Sequence, residues 1–268
     1  MEMMIIFLLG GNIMINTLLL LSGNDIPFIK AQAIIHQPTL KEIAFIGENN
    51  FFIGCGFLNF SKDLLSGKDK VNLEKFNDFD ILMSIMLNKD KALAKNIDCG
   101  LSVLSLIFPL YTVEVSREKG CIILKDKESK EFYLNKDNFN DFKKILIEMF
   151  NLQMNNKNLP TNFNPSGSMA QRIADKLKKR HEQLAQINGD VGKEIRVFSR
   201  YVSILSVGVK KSFGELMNYT VFQLYDEFQR FTLKSQHDMY VKAKLAGAKN
   251  LKDVEDWTKD IHDKNNKK

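Results

Sequence analysis

Four histidines are the first residues to consider for metal binding or acid–base chemistry: His36, His181, His237 and His262. Helical metal ligands recur three or four residues apart, because those positions lie on one face of a helix. No two of these histidines have either spacing. Unless folding gathers residues that are distant in the chain, the sequence predicts neither a catalytic site nor a metal site, and we expect a protein that is not an enzyme.

Two glycines around Cys55 are the only local hint of a cofactor loop. Gly54 and Gly56 lack the third glycine and the Lys-Ser/Thr pair that a nucleotide-binding loop uses to hold phosphates. They lie between Phe52 and Phe57, where small residues allow close packing of the backbone. We therefore predict a packing role and no cofactor.

A basic cluster in the second half could contact phosphates. It consists of Lys176, Lys178, Lys179 and Arg180. Residues 166–268 carry 20 Lys/Arg against 13 Asp/Glu, so the net charge of +6 arises there. Nucleic-acid-binding surfaces usually add aromatic side chains that stack on bases, and residues 169–196 contain none. The pattern favours a solvated helix face, and nucleic acid is not the favoured partner.

Aromatic residues recur at helical spacing further along the chain. Phe222, Tyr225 and Phe228 follow each other in steps of three, which turns them toward one side of a helix. Such a stripe is ordinarily part of a core. The alternative is a partner-binding surface, since buried aromatic residues often dominate protein interfaces. If that alternative holds, Tyr225→Ala weakens partner binding and leaves the melting temperature nearly unchanged; if the stripe is core, the protein unfolds.

The cysteines and the apolar N-terminus indicate the cellular compartment in which the protein is expected. Three cysteines without a CxxC pair, each among apolar neighbours, are typical of reduced core residues in an intracellular protein. Residues 1–21 resemble a signal or anchor segment, but Glu2 stands where positive charge is needed and no Lys or Arg precedes Lys30. A segment of a soluble fold is favoured over a membrane segment, with a start at Met14 as a further alternative.

Local patterns predict an α+β first domain at residues 14–150. Thr39 and Glu42 form a capping-box pattern, and Gly47 is suited to end the helix that follows. A short strand is predicted within residues 28–36. Residues 111–115, 121–124 and 131–134 alternate with charged turns and predict a small antiparallel three-stranded sheet, followed by a helix from Asn138.

The second part of the chain is predicted to be all-helical. Residues 151–168 contain several Asn, two Pro and a Gly, which is typical of a polar linker. A helical domain at residues 169–263 follows. Its helices are expected at residues 169–187, at 195–207, and from a cap formed by Ser212 and Glu215 through residue 246 with bends. Asn250 is predicted to cap a last helix containing Val254, Trp257 and Ile261.

Several phrases of the sequence resemble tail-morphogenesis proteins of tailed bacteriophages, particularly the tail assembly chaperones. They are residues 22–28 (SGNDIPF), 35–47 (IHQPTLKEIAFIG), 80–86 (DILMSIM), 242–249 (KAKLAGAK) and 254–262 (VEDWTKDIH). The resemblance spans residues 18–262 and consists of similar short segments, none of which is a motif with a chemical mechanism.

The resemblance implies a protein of the host cytoplasm that binds the tape-measure protein, shields its apolar surface and recruits tail-tube subunits. Grooves and helical faces would serve such a role, and no catalytic residues are needed. Many tail assembly chaperones are shorter, so the first half is also consistent with a structural protein of the virion. A nucleic-acid-associated protein is the third alternative. The sequence leaves the oligomeric state open.

Overall fold

The computed structural model describes residues 15–61, 75–88, 93–152, 196–249, 251 and 253–262, and they form an α+β fold. The first half contains helices α1 (Thr17–Ser22), α2 (Leu40–Ile46), α3 (Glu48–Leu58), α4 (Asp78–Asn88), α5 (Ala94–Ile107) and α6 (Phe139–Met149). Its strands are β1 (Ile26–Phe28), β2 (Ala33–Ile35), β3 (Thr112–Ser116), β4 (Cys121–Lys125) and β5 (Glu131–Leu134). The second half contributes α7 (Val197–Gly208), α8 (Phe213–Met217) and α9 (Val221–Leu245).

Two antiparallel sheets lie in the first half: the predicted three-stranded sheet is confirmed, and a two-stranded sheet was not predicted. In the three-stranded sheet, β4 is central and pairs with β3 and β5, with Val113 opposite Leu124 and Leu124 opposite Phe132. Strand β4 is buried on both faces, because four of its five residues are apolar and inaccessible. The smaller sheet pairs β1 with β2 around a single 3₁₀ turn. The strand predicted within residues 28–36 is confirmed as β2.

The predicted capping box at the start of α2 is confirmed. The Thr39 hydroxyl accepts a hydrogen bond from the Glu42 backbone N–H, and the Glu42 carboxylate accepts one from the Thr39 N–H at 2.7 Å. Gly47 ends this helix at φ +83°, a conformation that L residues rarely adopt, and α3 begins directly after it.

Close packing explains one of the two glycines beside Cys55. A Cβ on Gly54 would lie 2.4 Å from the backbone oxygen of Cys99, so α3 and α5 touch at this point without an intervening side chain. A Cβ on Gly56 would meet nothing within 4 Å. The predicted packing role is therefore confirmed for Gly54 and not for Gly56.

The C-terminal helices share the apolar core of the first half. The ring of Phe51 in α3 lies 4.9 Å from that of Phe150 and 5.7 Å from that of Phe198 in α7. At a second junction the Leu40 N–H donates to the Tyr219 oxygen at 2.8 Å. The predicted linker lies outside the described residues from 153 onward, so a domain boundary at 151–168 stays a prediction.

The C-terminal elements depart from the sequence prediction in two places. The helix expected to run to residue 246 with bends is two helices, because Thr220 and Gln223 form a capping box that starts α9 anew. The prediction of a last helix containing Val254, Trp257 and Ile261 is wrong: residues 253–262 are irregular, with a turn at residues 257–258. Asp256 accepts hydrogen bonds from the backbone and hydroxyl of Thr258, and such a local bond competes with a helix. Asn250 lies outside the described residues.

A carboxylate from the first half caps the first C-terminal helix. Glu48 accepts hydrogen bonds from the backbone N–H of Phe198 at 2.6 Å and from the Ser199 hydroxyl at 2.9 Å. The Ser199 N–H also donates to Glu48, at 3.3 Å, and both N–H groups belong to the first turn of α7, which has no capping side chain of its own at Arg196. The contact satisfies a helix end and joins the two halves of the chain.

Glu48→Gln should therefore destabilise the protein, because an amide is a weaker acceptor and carries no charge to favour the helix N-terminus. We expect a loss of about 1 kcal/mol in the free energy of unfolding, measured by urea denaturation. Glu118→Gln, on an exposed turn, is the matched control and should change stability little. Equal stability of the two variants would show that Glu48 does not secure α7.

Candidate protein-binding region

The aromatic stripe singled out by sequence lies at the start of α9 and faces α7. The ring of Phe228 stacks on that of Tyr201 with centroids 3.8 Å apart. The ring of Tyr225 meets those of Tyr201 and Phe198 edge-on, at 5.6 and 6.2 Å. Burial raises the pKa of the Tyr225 phenol well above its usual value. Tyr225 and Phe228 thus hold α9 against α7.

Phe222 faces a different neighbour. Its side chain is buried and its ring stacks on that of His262, with centroids 5.0 Å apart. All three aromatic residues therefore pack against side chains of the same chain, with Phe222 buried and Tyr225 and Phe228 half-buried. This packing supports the core interpretation of the stripe, and a direct role in capturing a partner stays a prediction.

Helix α9 is long enough to leave the core. Its 25 residues extend over about 37 Å, and Leu233 is the last residue of the helix that is buried. Beyond it, Val241 and Leu245 lie one turn apart on one face, and the Leu245 side chain is 83% exposed. Met239 is exposed on another face. Apolar residues of a helix that projects into solvent are typical of protein contact surfaces.

Residues 253–262 run back along α9 in the opposite direction, and we call them the C-terminal strap. Tyr240 donates a hydrogen bond to Asp253, near the end of the helix. Arg230, further toward its start, donates to the backbone oxygens of Trp257 and Lys259. His262 lies 2.7 Å from Asp226, closest to the start. These contacts extend over about four turns of α9.

The basic cluster of Lys176, Lys178, Lys179 and Arg180 lies outside the described residues, so its role as a phosphate contact stays a prediction. The same is true of His181. In the described part of the chain, no group of three or more His, Cys, Asp or Glu side chains could hold a metal ion. The described cysteines Cys55, Cys99 and Cys121 are buried and free.

Sequence reasoning missed one histidine cluster in the first half. The Nδ1 atom of His36 lies 2.8 Å from Asp25, and its Nε2 atom lies 3.2 Å from Glu42. Burial acts to lower the pKa of His36, but the hydrogen bonds to the two carboxylates outweigh it and the pKa is raised. Because Glu42 also caps α2, the charged imidazole supports the junction between β2 and that helix. The stabilisation is present below pH about 6.5 and is lost as pH rises through the raised pKa.

Comparison with known proteins bears on the C-terminal helices and the strap. Residues 196–262, which comprise α7, α8, α9 and the strap, match the family described as the YomV second domain. The match supports a phage-related protein. It covers about a quarter of the chain and does not distinguish a tail assembly chaperone. No curated protein and no solved structure matches the chain. Among the described residues, no helix is long and apolar enough to cross a membrane.

Tyr225→Ala should unfold or strongly destabilise the protein, because it removes the ring that Phe198 and Tyr201 contact. We expect a loss of about 3 kcal/mol in the free energy of unfolding, measured by thermal and urea denaturation. Phe45→Ala removes a ring of similar size that is 85% exposed and should leave the melting temperature nearly unchanged. A stable, folded Tyr225→Ala variant would contradict the core assignment and restore the partner-binding interpretation.

Proposed function

We propose that this protein is a non-enzymatic phage tail assembly chaperone that binds the tape-measure protein and tail-tube subunits in the host cytoplasm. Two independent lines support the proposal. Residues 196–262 match a phage-related domain, and phrases over residues 18–262 resemble tail-morphogenesis proteins. The resemblance supplies the partners, and the absence of catalysis is part of the proposal.

The observation that carries the proposal is the projecting end of α9. Residues 234–245 add three turns beyond the last buried side chain, and Leu245 is almost fully exposed at their end. A rigid helix that presents Val241 and Leu245 one turn apart can pack against an amphipathic helix of a partner. Tape-measure proteins are long and helical, which suits this mode of binding.

A structural virion protein is the second candidate. The first half supports it, because residues 15–152 form a substantial core with two sheets, which the chaperone role does not require. The two candidates differ in where the protein ends up. A chaperone leaves the particle once assembly is complete, whereas a structural protein remains there in stoichiometric amount.

Capture from infected cells tests the proposal. A tagged chain should recover the tape-measure protein, and purified particles should lack the chain. Leu245→Glu should reduce the recovered tape-measure protein about tenfold, equivalent to about 1.4 kcal/mol, because it places a charge in the apolar contact. Leu18→Glu is the matched control, since Leu18 is 70% exposed on α1.

Three results would count against this account. Stoichiometric amounts of the chain in purified particles would favour the structural role. Equal loss of capture in the Leu18→Glu and Leu245→Glu variants would show that the end of α9 is not the contact. Recovery of nucleic acid that falls steeply with salt would favour the third alternative.

A further inference from the structure

We propose that the C-terminal strap covers a docking surface on α9, and that an acidic segment of a protein partner binds there in place of the strap. The inference rests on the proposed function only in that the protein acts by binding proteins. It adds the position of a second contact surface, the chemistry of its ligand and a means of regulating access to it.

The docking surface follows one face of the helix, and we call it the α9 stripe. It comprises Phe222, Asp226, Arg230, Leu233, His237 and Tyr240. Successive members are three or four residues apart, so they align along one side of the helix. This side differs from the one that carries Tyr225 and Phe228, which is occupied by α7. It also differs from the exposed face at Val241 and Leu245.

The stripe holds the backbone of the strap as well as its side chains. The Nη1 atom of Arg230 donates to the backbone oxygens of Trp257 at 3.0 Å and Lys259 at 2.5 Å. A helix or a strand would use such carbonyl groups internally, but the strap has neither structure. These carbonyl groups lie in a turn in which the Lys259 N–H donates to the Asp256 oxygen, so another segment that forms a similar turn presents equivalent groups.

The two ends of the strap are fixed by side chains. At one end the Tyr240 hydroxyl donates to Asp253 at 2.9 Å. At the other end His262 lies 2.7 Å from Asp226 and stacks on Phe222. The stripe thus offers a hydroxyl donor for a carboxylate and, about 21 to 27 Å away along α9, an acidic and aromatic site for a ring with a polar N–H.

Charge specifies an acidic occupant. The strap carries four carboxylates, Asp253, Glu255, Asp256 and Asp260, and one lysine, Lys259. The opposing part of α9 carries Arg230, His237 and Lys244; of its carboxylates, Asp226 contacts His262 and Asp238 is paired with Lys234. The hydrogen bonds from Thr258 lower the pKa of Asp256, and the nearby His237 lowers it further. The helix therefore attracts a negatively charged segment along its C-terminal half.

The strap is held weakly enough to be displaced. Most of its side chains are exposed, and Trp257 is 37% exposed. Polar contacts at exposed positions contribute roughly 1 kcal/mol or less each. A tethered segment nevertheless competes at an effective concentration in the millimolar range. A partner with a longer or better-matched acidic segment can replace the strap, while non-specific acidic peptides are excluded.

Fluorescence gives a direct test, because Trp257 is the single tryptophan of the chain. The probe is a fluorescein-labelled peptide with the sequence of residues 251–262. Asp253→Ala with His262→Ala removes both anchors of the strap and leaves the stripe unchanged, so the Trp257 emission should shift to longer wavelength. This released variant should bind the probe about tenfold more tightly than the intact chain. Glu118→Ala, on an exposed turn of the first half, is the matched control and should bind as the intact chain does.

Two further variants sharpen the test. Arg230→Ala in the released variant should weaken probe binding about tenfold, whereas Lys242→Ala, an exposed residue on a different face of α9, should not. Asp226→Cys with His262→Cys joins the strap to α9 when oxidised; probe binding should be absent in the oxidised protein and return on reduction. This pair decides the question even if the released variant folds poorly.

The proposal is overturned if probe binding is equal in the locked and reduced proteins, or if Arg230→Ala has no effect. Equal binding of a probe with its carboxylates replaced by amides would reject the acidic ligand. Dimerisation of the released variant without probe binding would assign the stripe to a second copy of the chain. The probe assay uses no phage component, so it is independent of the capture experiment. Failure to capture the tape-measure protein would not contradict probe binding at the α9 stripe, and failure of probe binding would not contradict capture.

Discussion

The contact between Phe51, Phe150 and Phe198 is the constraint on which the rest of the structure depends. These three rings come from α3, the end of α6 and α7, and all are buried. Burying an aromatic side chain contributes several times the free energy of an exposed polar contact. The cluster therefore fixes α7 on the first half, and the stacked rings of Tyr201 and Phe228 carry that constraint on to α9.

Two ionic contacts near this core help to fix its geometry. Lys143 in α6 is buried, and its amino group contacts Asp78 of α4 and the backbone oxygen of Phe60, each at 2.8 Å. An ion pair of this kind requires a defined geometry. Removal of one partner would leave the other charge buried and unpaired, which strongly destabilises the fold. Glu48 serves the same purpose at the start of α7. Interactions weaken along α9, from the buried rings at its start to the exposed strap contacts at its end.

The elements that depend on neighbours in sequence could be predicted, and those that depend on distant residues could not. Capping boxes such as that of Thr39 and Glu42 are local, and so are the hairpins of the three-stranded sheet, so both were confirmed. The last helix was predicted from apolar spacing around Trp257. Asp256, two residues before Thr258, is a local signal for a turn, and its hydrogen bond to the Thr258 N–H opposes that helix. The bond from Phe198 to Glu48 spans 150 residues, and no local pattern announces it.

The candidate site shows the same division. Spacing correctly placed Phe222, Tyr225 and Phe228 on a helix, but it could not show that α7 and His262 cover them. The strap and the α9 stripe arise only when the chain reverses after Leu245. Phage-related residues 196–262 thus contribute a helix with a fixed base and an adjustable far end, which is the physical basis of the binding role proposed for it.

Native-state hydrogen exchange would test most directly whether the aromatic core fixes the start of α9 and leaves its far end less stable. If the shared aromatic core governs the fold, the amides of α7 and of the first turns of α9 should exchange with the same free energy of opening as those of α3 and β4. The amides of residues 234–245 should exchange at lower free energy, and those of the strap at the lowest. Exchange of α7, α8 and all of α9 as one unit, separate from α3 and β4, would contradict the account.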